Sequence, residues 1–280
     1  MNGVSLTGVP SQWQDYIAAA GTANATLRRN WFISQVYTLA GGSDNVRLLW
    51  LPKVSETTTS TSEEKDAKVL TYDATIASRI SALGNGVQVS FAGTSDEADT
   101  PDTDDLGFGD GFIDQPLTIF ALVNQTATAT IKTILSKYDL TTGVTKREWW
   151  FYLDAAEKLV FECYDESAAT RIGRTFNTAL DTATWMLLTA TYDGSRAASG
   201  IALYQNEARI DDTDSSSGTY VAMQNTNSLT RLGFSQGAAA GANFMNGSMG
   251  LVGVLGRAIG QDEVYALMAA VNSFNNLSLS

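Results

Sequence analysis

The sequence predicts an all-β protein, a two-sheet antiparallel jelly-roll sandwich with a short C-terminal helix and an N-terminal arm. Three observations carry this. Apolar runs of strand length, rich in Val, Ile, Thr, Tyr, Phe and Trp, recur from residue 46 to residue 255. Clusters of Gly, Asn, Asp or Ser separate most of them, the spacing of packed antiparallel sheets. A clear helical period appears late, between residues 260 and 274. The 280 residues suit one large β domain, and a hydrophobic content of 44% is enough to bury a full core.

Residues 1–45 are the expected arm. In SQWQDYIAAAG, Trp13, Tyr16, Ile17 and Ala20 recur at helical spacing before Gly21 ends the run, which predicts a short amphipathic helix. NWFISQVYTLAGG then packs Trp31, Phe32, Ile33, Val36, Tyr37 and Leu39 into a stretch without a clean period, stopped by Gly41 and Gly42. So aromatic a terminus must bury itself, either on its own domain or on another subunit.

Residues 46–280 are the expected sandwich. VRLLWL, KVLTY, VQVSF, LTIFALVN, IKTILSK, EWWFYL, KLVFECY, WMLLTATY, IALYQ, LTRLGF and MGLVGVL read as strands. TTTSTSEE at 57–64 is too polar to bury and reads as an exposed excursion. DEADTPDTDD at 96–105 reads as a solvated acidic loop broken by Pro101. In the closing GQDEVYALMAAVNSF, Val264, Leu267, Met268 and Val271 fall on one helical face. Asp262 and Glu263 occupy the first turn, where the helix dipole favours them.

Composition narrows the chemistry. A formal charge of −12 disfavours nucleic acid and anionic lipid, because neutralising phosphates requires a basic face. The chain has no histidine and a single cysteine, Cys163. Cys–His and Ser–His–Asp nucleophiles and the common zinc sites are therefore excluded. Cys163 lies in LVFECY, an alternating strand where it reads as a small buried hydrophobe. No secretory signal opens the sequence and no apolar run is long enough to span a bilayer, so the expected product is soluble and made in the cytoplasm.

Three kinds of site can be weighed on residues. Calcium needs carboxylate oxygens, and the candidates are Asp102, Asp104 and Asp105. In an EF-hand register, however, Leu106 and Ile113 stand where ligands belong, and DDTDSSSG at 211–218 fails in the same way, so no metal or other cofactor is expected. A glycosidase needs two acids facing one cleft. Glu148 and Asp154 sit at the ends of their strand, and Glu162 and Asp165, three apart, point to opposite faces. Trp149 and Trp150 are adjacent, so one faces in and one out, and the outward ring is a candidate ligand contact.

Four motifs in order carry a family resemblance. WMLLTATYDG followed by IALYQNE is similar to a laminin G-like pattern in which a Trp opens a strand, a Tyr-Asp-Gly turn follows and the next strand ends in Leu-Tyr-Val-Asn-Gly. GNGVQVSFAGTSDEADTP, QPLTIFALVN and FMNGSMGLVGVLGRAIGQDEVYALM resemble its other strands and its terminal helix. Residues 46–275 thus resemble the laminin G-like branch of the concanavalin A-like lectin/glucanase superfamily. The resemblance implies the sandwich, with Trp185, Tyr192 and Leu203 pointing into the core. Ala92 and Glu207 depart from the pattern, and GFSQGAAAGANF lacks the polar loop residues of calcium-binding relatives, so metal binding is not implied.

Acidic, histidine-free domains of this kind resemble those of tailed-bacteriophage structural proteins, which reach the outside by assembly. The expected function is a non-enzymatic virion protein, a capsid decoration protein whose arm grips the major capsid protein or sister copies through Trp13, Tyr16, Trp31 and Phe32. Association as a trimer is expected with it. The alternatives are a tail-fibre or head-fibre adhesin that binds a host-surface glycan through Trp149 or Trp150, and a divergent glycoside hydrolase or lyase using Glu148 or Glu162.

Overall fold

A computed structural model describes residues 25–73, 76, 78–141, 145–237 and 242–280. Trp13 and Tyr16 lie outside the described residues.

Two sheets form the sandwich. Among the described residues the first runs Ala208–Arg209, Ile201–Gln205, Trp185–Tyr192, Leu117–Gln125, Asn246–Leu255, Gly86–Ala92, Ile80–Leu83, with Val46–Trp50 also pairing on Asn246–Leu255. The second runs Thr213–Asp214, Thr170–Thr175, Leu159–Asp165, Lys146–Leu153, Lys132–Asp139, Thr230–Leu232, Ala98–Thr100, Val69–Tyr72, Thr59–Thr61. A small ribbon, Phe234–Gln236 with Ala242–Phe244, adjoins Lys132–Asp139. Non-sequential neighbours such as Leu117–Gln125 beside Asn246–Leu255 give the jelly roll its crossed connections.

Burial explains the pattern of the strands. In Leu117–Gln125, Leu117, Ile119, Ala121 and Val123 enter the core between the sheets, whereas Phe120 and Leu122 enter a second core on the opposite face. A strand covered on both sides reads as a continuous apolar run, which is why LTIFALV shows no alternation. Tyr192 and Leu203 lie in the core between the sheets, as the family pattern implies, and so does Cys163. Trp185 does not, because its position on the strand turns it to the opposite face, against the second core.

Two helices cover that second face. The C-terminal helix, Gln261–Asn275, buries Val264, Leu267, Met268 and Val271 as its spacing predicts. Its start is held by Glu263, whose carboxylate accepts the Gly260 N–H at 2.9 Å and pairs with Arg257. The other helix, Ala25–Ala40, corrects the reading of NWFISQVYTLA. Phe32, Val36 and Ala40 are fully buried at i, i+4 and i+8, while Ile33, Tyr37 and Leu39 pack on the flanks. Wedged between a sheet and a second helix, this helix has so wide an apolar face that the period is blurred in the sequence. Gly41, at φ 74°, turns the chain out of it.

Two polar stretches also differ from expectation. Thr59–Thr61 of TTTSTSEE is an edge strand, and Glu64 is buried, accepting the Leu49 N–H at 2.9 Å and the Ser62 hydroxyl at 2.5 Å. Ala98–Thr100 of the acidic stretch lies inside the second sheet, and Asp96 is buried against Arg79 and the Ala92 N–H. Both segments look soluble by composition, yet Glu64 and Asp96 are held by partners within the fold.

Candidate functional site

Each residue singled out in the sequence has a definite place. Trp31 and Phe32, expected to anchor a partner, are buried in their own chain, Phe32 stacking on Phe274 with ring centroids 4.8 Å apart. Burial leaves them no surface to offer. Trp149 points into the core and its indole N–H donates to the Leu106 carbonyl at 3.0 Å. Trp150 does turn to the other face, but it is only 6% exposed. Its ring stacks on Tyr152 at 3.8 Å and its N–H donates to Thr133 Oγ1 at 3.0 Å. With Tyr138, Val160 and Tyr164 it forms a closed aromatic cluster, so neither Trp presents a ring face to a ligand.

The acidic candidates are likewise engaged. Asp102 pairs with Lys137 at 2.8 Å, Asp105 pairs with Lys68 at 2.7 Å, and Asp104 accepts from the Asn225 amide at 3.2 Å. Carboxylates shared out to separate cations do not converge on one ion, and no group of three potential ligands exists among the described residues. Glu148 is buried against Lys137 at 2.8 Å and accepts from Thr226. Glu162 pairs with Arg171 at 2.8 Å and accepts from Tyr164. The two carboxylates belong to separate networks rather than to one cleft.

An exposed apolar surface lies where the loop 107–116 meets the turns after Asp165 and Tyr192 and the segment 218–226. It starts from a local sequence effect. In Gly-Asp-Gly-Phe-Ile-Asp, the Asp110 carboxylate accepts the backbone N–H groups of Phe112 and Ile113, each at 2.8 Å. Those bonds hold its carboxyl below the usual range. Gly111 takes φ 85° and donates to the Met223 carbonyl at 2.8 Å. A Cβ there would approach Gln224 Oε1 to 2.9 Å. The turn is therefore fixed, and it raises Phe112 to 77% exposure and Ile113 to 51%. Val221, 49% exposed, adds a third apolar group from the neighbouring segment.

Two buried aspartates brace this surface, with their carboxyl pKa values moved in opposite directions. Asp114 accepts from the Tyr192 hydroxyl at 2.6 Å, the Tyr220 hydroxyl at 2.7 Å and the Met223 N–H at 2.8 Å. Burial nevertheless pushes its carboxyl upward. Asp165 is also buried, but donors from Ser167, Ala168, Val221 and Gln224 outweigh that effect and hold its carboxyl low. Tyr192 also accepts the Arg196 N–H at 2.7 Å, and Arg196 donates to the Phe112 carbonyl at 3.0 Å. The Tyr-Asp-Gly stretch of the family pattern thus serves as the brace of the exposed loop.

Sequence reasoning missed Phe112, Ile113 and Val221. The signal was an Asp-Gly turn followed by two large apolar residues, but Ile113 was weighed only as an EF-hand position lacking oxygen.

Solved structures share the fold. The binding domain of Paraclostridial Mosquitocidal Protein 1 superposes with a TM-score of 0.58 at 12% identity, covering 82% of this chain and 53% of that one. The receptor binding domain of botulinum neurotoxin D gives 0.57 at 9% identity, with coverage of 82% and 53%. A Trypanosoma rangeli sialidase mutant displaying trans-sialidase activity gives 0.56 at 11% identity, covering 94% of this chain and 39% of that one. The chain spans about half the length of the two toxin domains it matches, and identities this low establish the architecture alone. No curated protein matches the sequence. Among the described residues no helix is long and apolar enough to cross a membrane. A family model described as concanavalin A-like lectin/glucanases superfamily matches residues 92–265, from the Phe-Ala-Gly strand to the C-terminal helix, and the chain therefore belongs to the laminin G-type branch of that superfamily.

Proposed function

We propose that this protein is a non-enzymatic, lectin-like binding module of a bacteriophage virion that recognises a host-surface glycan through the loop end of the sandwich. The carrying observation is the exposed Phe112–Ile113 pair on a turn fixed by Asp110 and Gly111 and braced by Asp114. Large apolar groups held rigidly in water lose little freedom when a partner covers them, which is the property of a contact anchor. An aromatic ring offers the apolar face of a sugar a stacking surface. The fold shared with the named binding domains supports a binding role. Assignment to a virion rests on the resemblance of an acidic, histidine-free laminin G-like domain to those of tailed-bacteriophage structural proteins.

Glycan-array binding of the full chain and of Phe112→Ser tests this. We expect saturable binding by the wild type and at least a tenfold loss in a variant with an unchanged melting temperature. Equal binding by both proteins would remove the loop end from the site.

Capsid decoration is a second reading, and one observation favours it. The helix Ala25–Ala40 is anchored on the body, while Ala25 and Thr26 at its start are exposed. In this reading Trp13 and Tyr16 grip the major capsid protein or sister copies in a trimer. Deleting residues 1–24 and measuring binding to particles lacking this protein tests it; undiminished binding would exclude the arm.

A further inference from the structure

Three groups that can condense with one another meet on the second sheet. Lys137 is fully buried, with Nζ 2.8 Å from Asp102 Oδ1 and 2.8 Å from Glu148 Oε1. A β-bulge brings this about. Lys137 pairs with Trp149 and Tyr138 with Arg147, which leaves Glu148 as the extra residue and turns its side chain to the lysine.

Two features set this cluster apart from an ordinary salt bridge. Asp102 Oδ1 is buried with no hydrogen-bond partner, although Lys137 Nζ lies at contact distance. The amine nitrogen therefore touches the carboxyl group without the directions of a hydrogen bond. Glu148 supplies the second feature. Its Oε1 accepts the Thr226 N–H at 2.7 Å and the Thr226 hydroxyl at 2.8 Å, while its Oε2 is buried and unpartnered, free to take up and return a proton. Burial pushes this carboxyl up to about 7, so both its forms are populated at neutral pH, as a proton carrier requires.

The surroundings favour removal of the charges. A buried cation and carboxylate are costly to keep out of water, whereas one amide in their place is neutral. Groups held in contact react as if at very high concentration, so no activated donor is needed to join them. The Lys68 cluster is the internal contrast. Lys68 meets Asp105 at 2.7 Å and Glu64 at 3.5 Å, but both Glu64 oxygens already accept, from Ser62 and the Lys68 N–H and from the Leu49 N–H. No carboxylate oxygen is left there to move a proton.

We propose that Lys137 and Asp102 condense spontaneously into a side-chain amide, with Glu148 carrying the protons. Glu148 moves one proton from Nζ to the Asp102 carboxylate. The Nζ lone pair then attacks Cγ, and the carbonyl π pair moves onto oxygen. Glu148 takes a second proton from the nitrogen and delivers it to the hydroxyl on Cγ. The C–O bond breaks, one water leaves by the partly exposed Asp102 side, and the oxyanion re-forms the carbonyl. This happens once per chain and turns over no outside substrate. The bond ties the segment after Ala98–Thr100 to Lys132–Asp139 across the intervening Thr230–Leu232. It is a covalent brace in a chain whose single cysteine can form no internal disulfide.

Intact-mass spectrometry of the denatured full chain, after incubation of the folded protein at neutral pH, tests it. Expected is a wild-type mass below the sequence mass by one water, about 18 Da, and a tryptic fragment joining the peptides that contain Asp102 and Lys137. Asp102→Ala and Lys137→Arg should have the full masses of their sequences. In Glu148→Gln the cross-linked fraction should fall at least about tenfold. A succinimide at Asp110-Gly111 or Asp193-Gly194 also loses water, but hydroxylamine opens it and spares an amide. Full mass in the folded wild type would overturn the proposal, whether or not the variants fold. A water loss that persists in Asp102→Ala, or that hydroxylamine abolishes, would overturn it as well. An unchanged cross-linked fraction in folded Glu148→Gln would overturn the proton-carrying role. A second cross-link at Lys68 would overturn the need for a free carboxylate oxygen.

Discussion

Two regions of this protein are rich in exposed-looking apolar sequence, and the fold treats them in opposite ways. Trp149-Trp150 and the tyrosines around them form a closed cluster on the second sheet, each ring covered by another ring or by the sheet. Phe112-Ile113 stands in solvent on a turn fixed by backbone geometry. Apolar sequence therefore marks closed packing in one place and solvent exposure in the other. What separates them is whether ring faces and indole N–H groups already have partners.

Trp150→Ala should have the largest effect on the closed side. Removing a buried Trp costs about 3–5 kcal/mol, and urea denaturation should show the loss with glycan binding unchanged in the folded fraction. A cost below about 1 kcal/mol would mean that the cluster is not closed, and would return Trp150 to the list of contacts.

The pH dependence should come next. Burial pushes the Glu148 carboxyl up to about 7, against the opposing pull of Lys137. The folded protein then holds this proton more firmly than the unfolded chain. The stability it contributes is complete below about pH 4.5 and is lost as pH rises through about 7. The loss amounts to roughly 3 kcal/mol, and Glu148→Gln should remove that part of the slope in urea midpoints. Asp165 has the opposite sign: its carboxyl is held low, so its contribution exists above the unfolded value of 3.8 and is lost as pH falls through its folded pKa. Parallel pH profiles for wild type and Glu148→Gln would exclude the burial of the Glu148 carboxyl as the cause of the slope.

Asp114→Asn sharpens the comparison on the open side. One carboxylate oxygen becomes an amide NH2, so either the Tyr192 and Tyr220 hydroxyls or the Met223 N–H loses its acceptor, at about 1–3 kcal/mol. Hydrogen exchange at Met223 and Gly111 should accelerate more than exchange in the Trp150 cluster. Exchange unaltered at the loop end would mean that the brace is dispensable. Smallest in stability is Phe112→Ser, within about 0.5 kcal/mol of wild type; a cost of several kcal/mol would show that Phe112 is packed after all.

The amount legible in the sequence follows from the range of the forces involved. Strand runs, the spacing of the C-terminal helix and the order of the family motifs are local patterns, and they specify the sandwich and most of its core. Tyr192, Leu203 and Cys163 fall where alternation puts them. Local pattern gave out where one segment is covered from two sides. The helix Ala25–Ala40 lost its period to a neighbouring helix, and the face to which strand alternation turns Trp185 is a second core because that helix pair covers it. Polar runs misled for a related reason, since the partners of Glu64 and Asp96 come from other strands or from across a turn.

By itself, then, the sequence determined the fold class, the absence of histidine chemistry, and the Asp-Gly pair at 110–111 that can make a tight turn. Only the tertiary structure decided which aromatic residues remain in water and which acids meet a cation. Exposure and pairing are sums over contacts from distant segments, and no single stretch of the chain carries that sum.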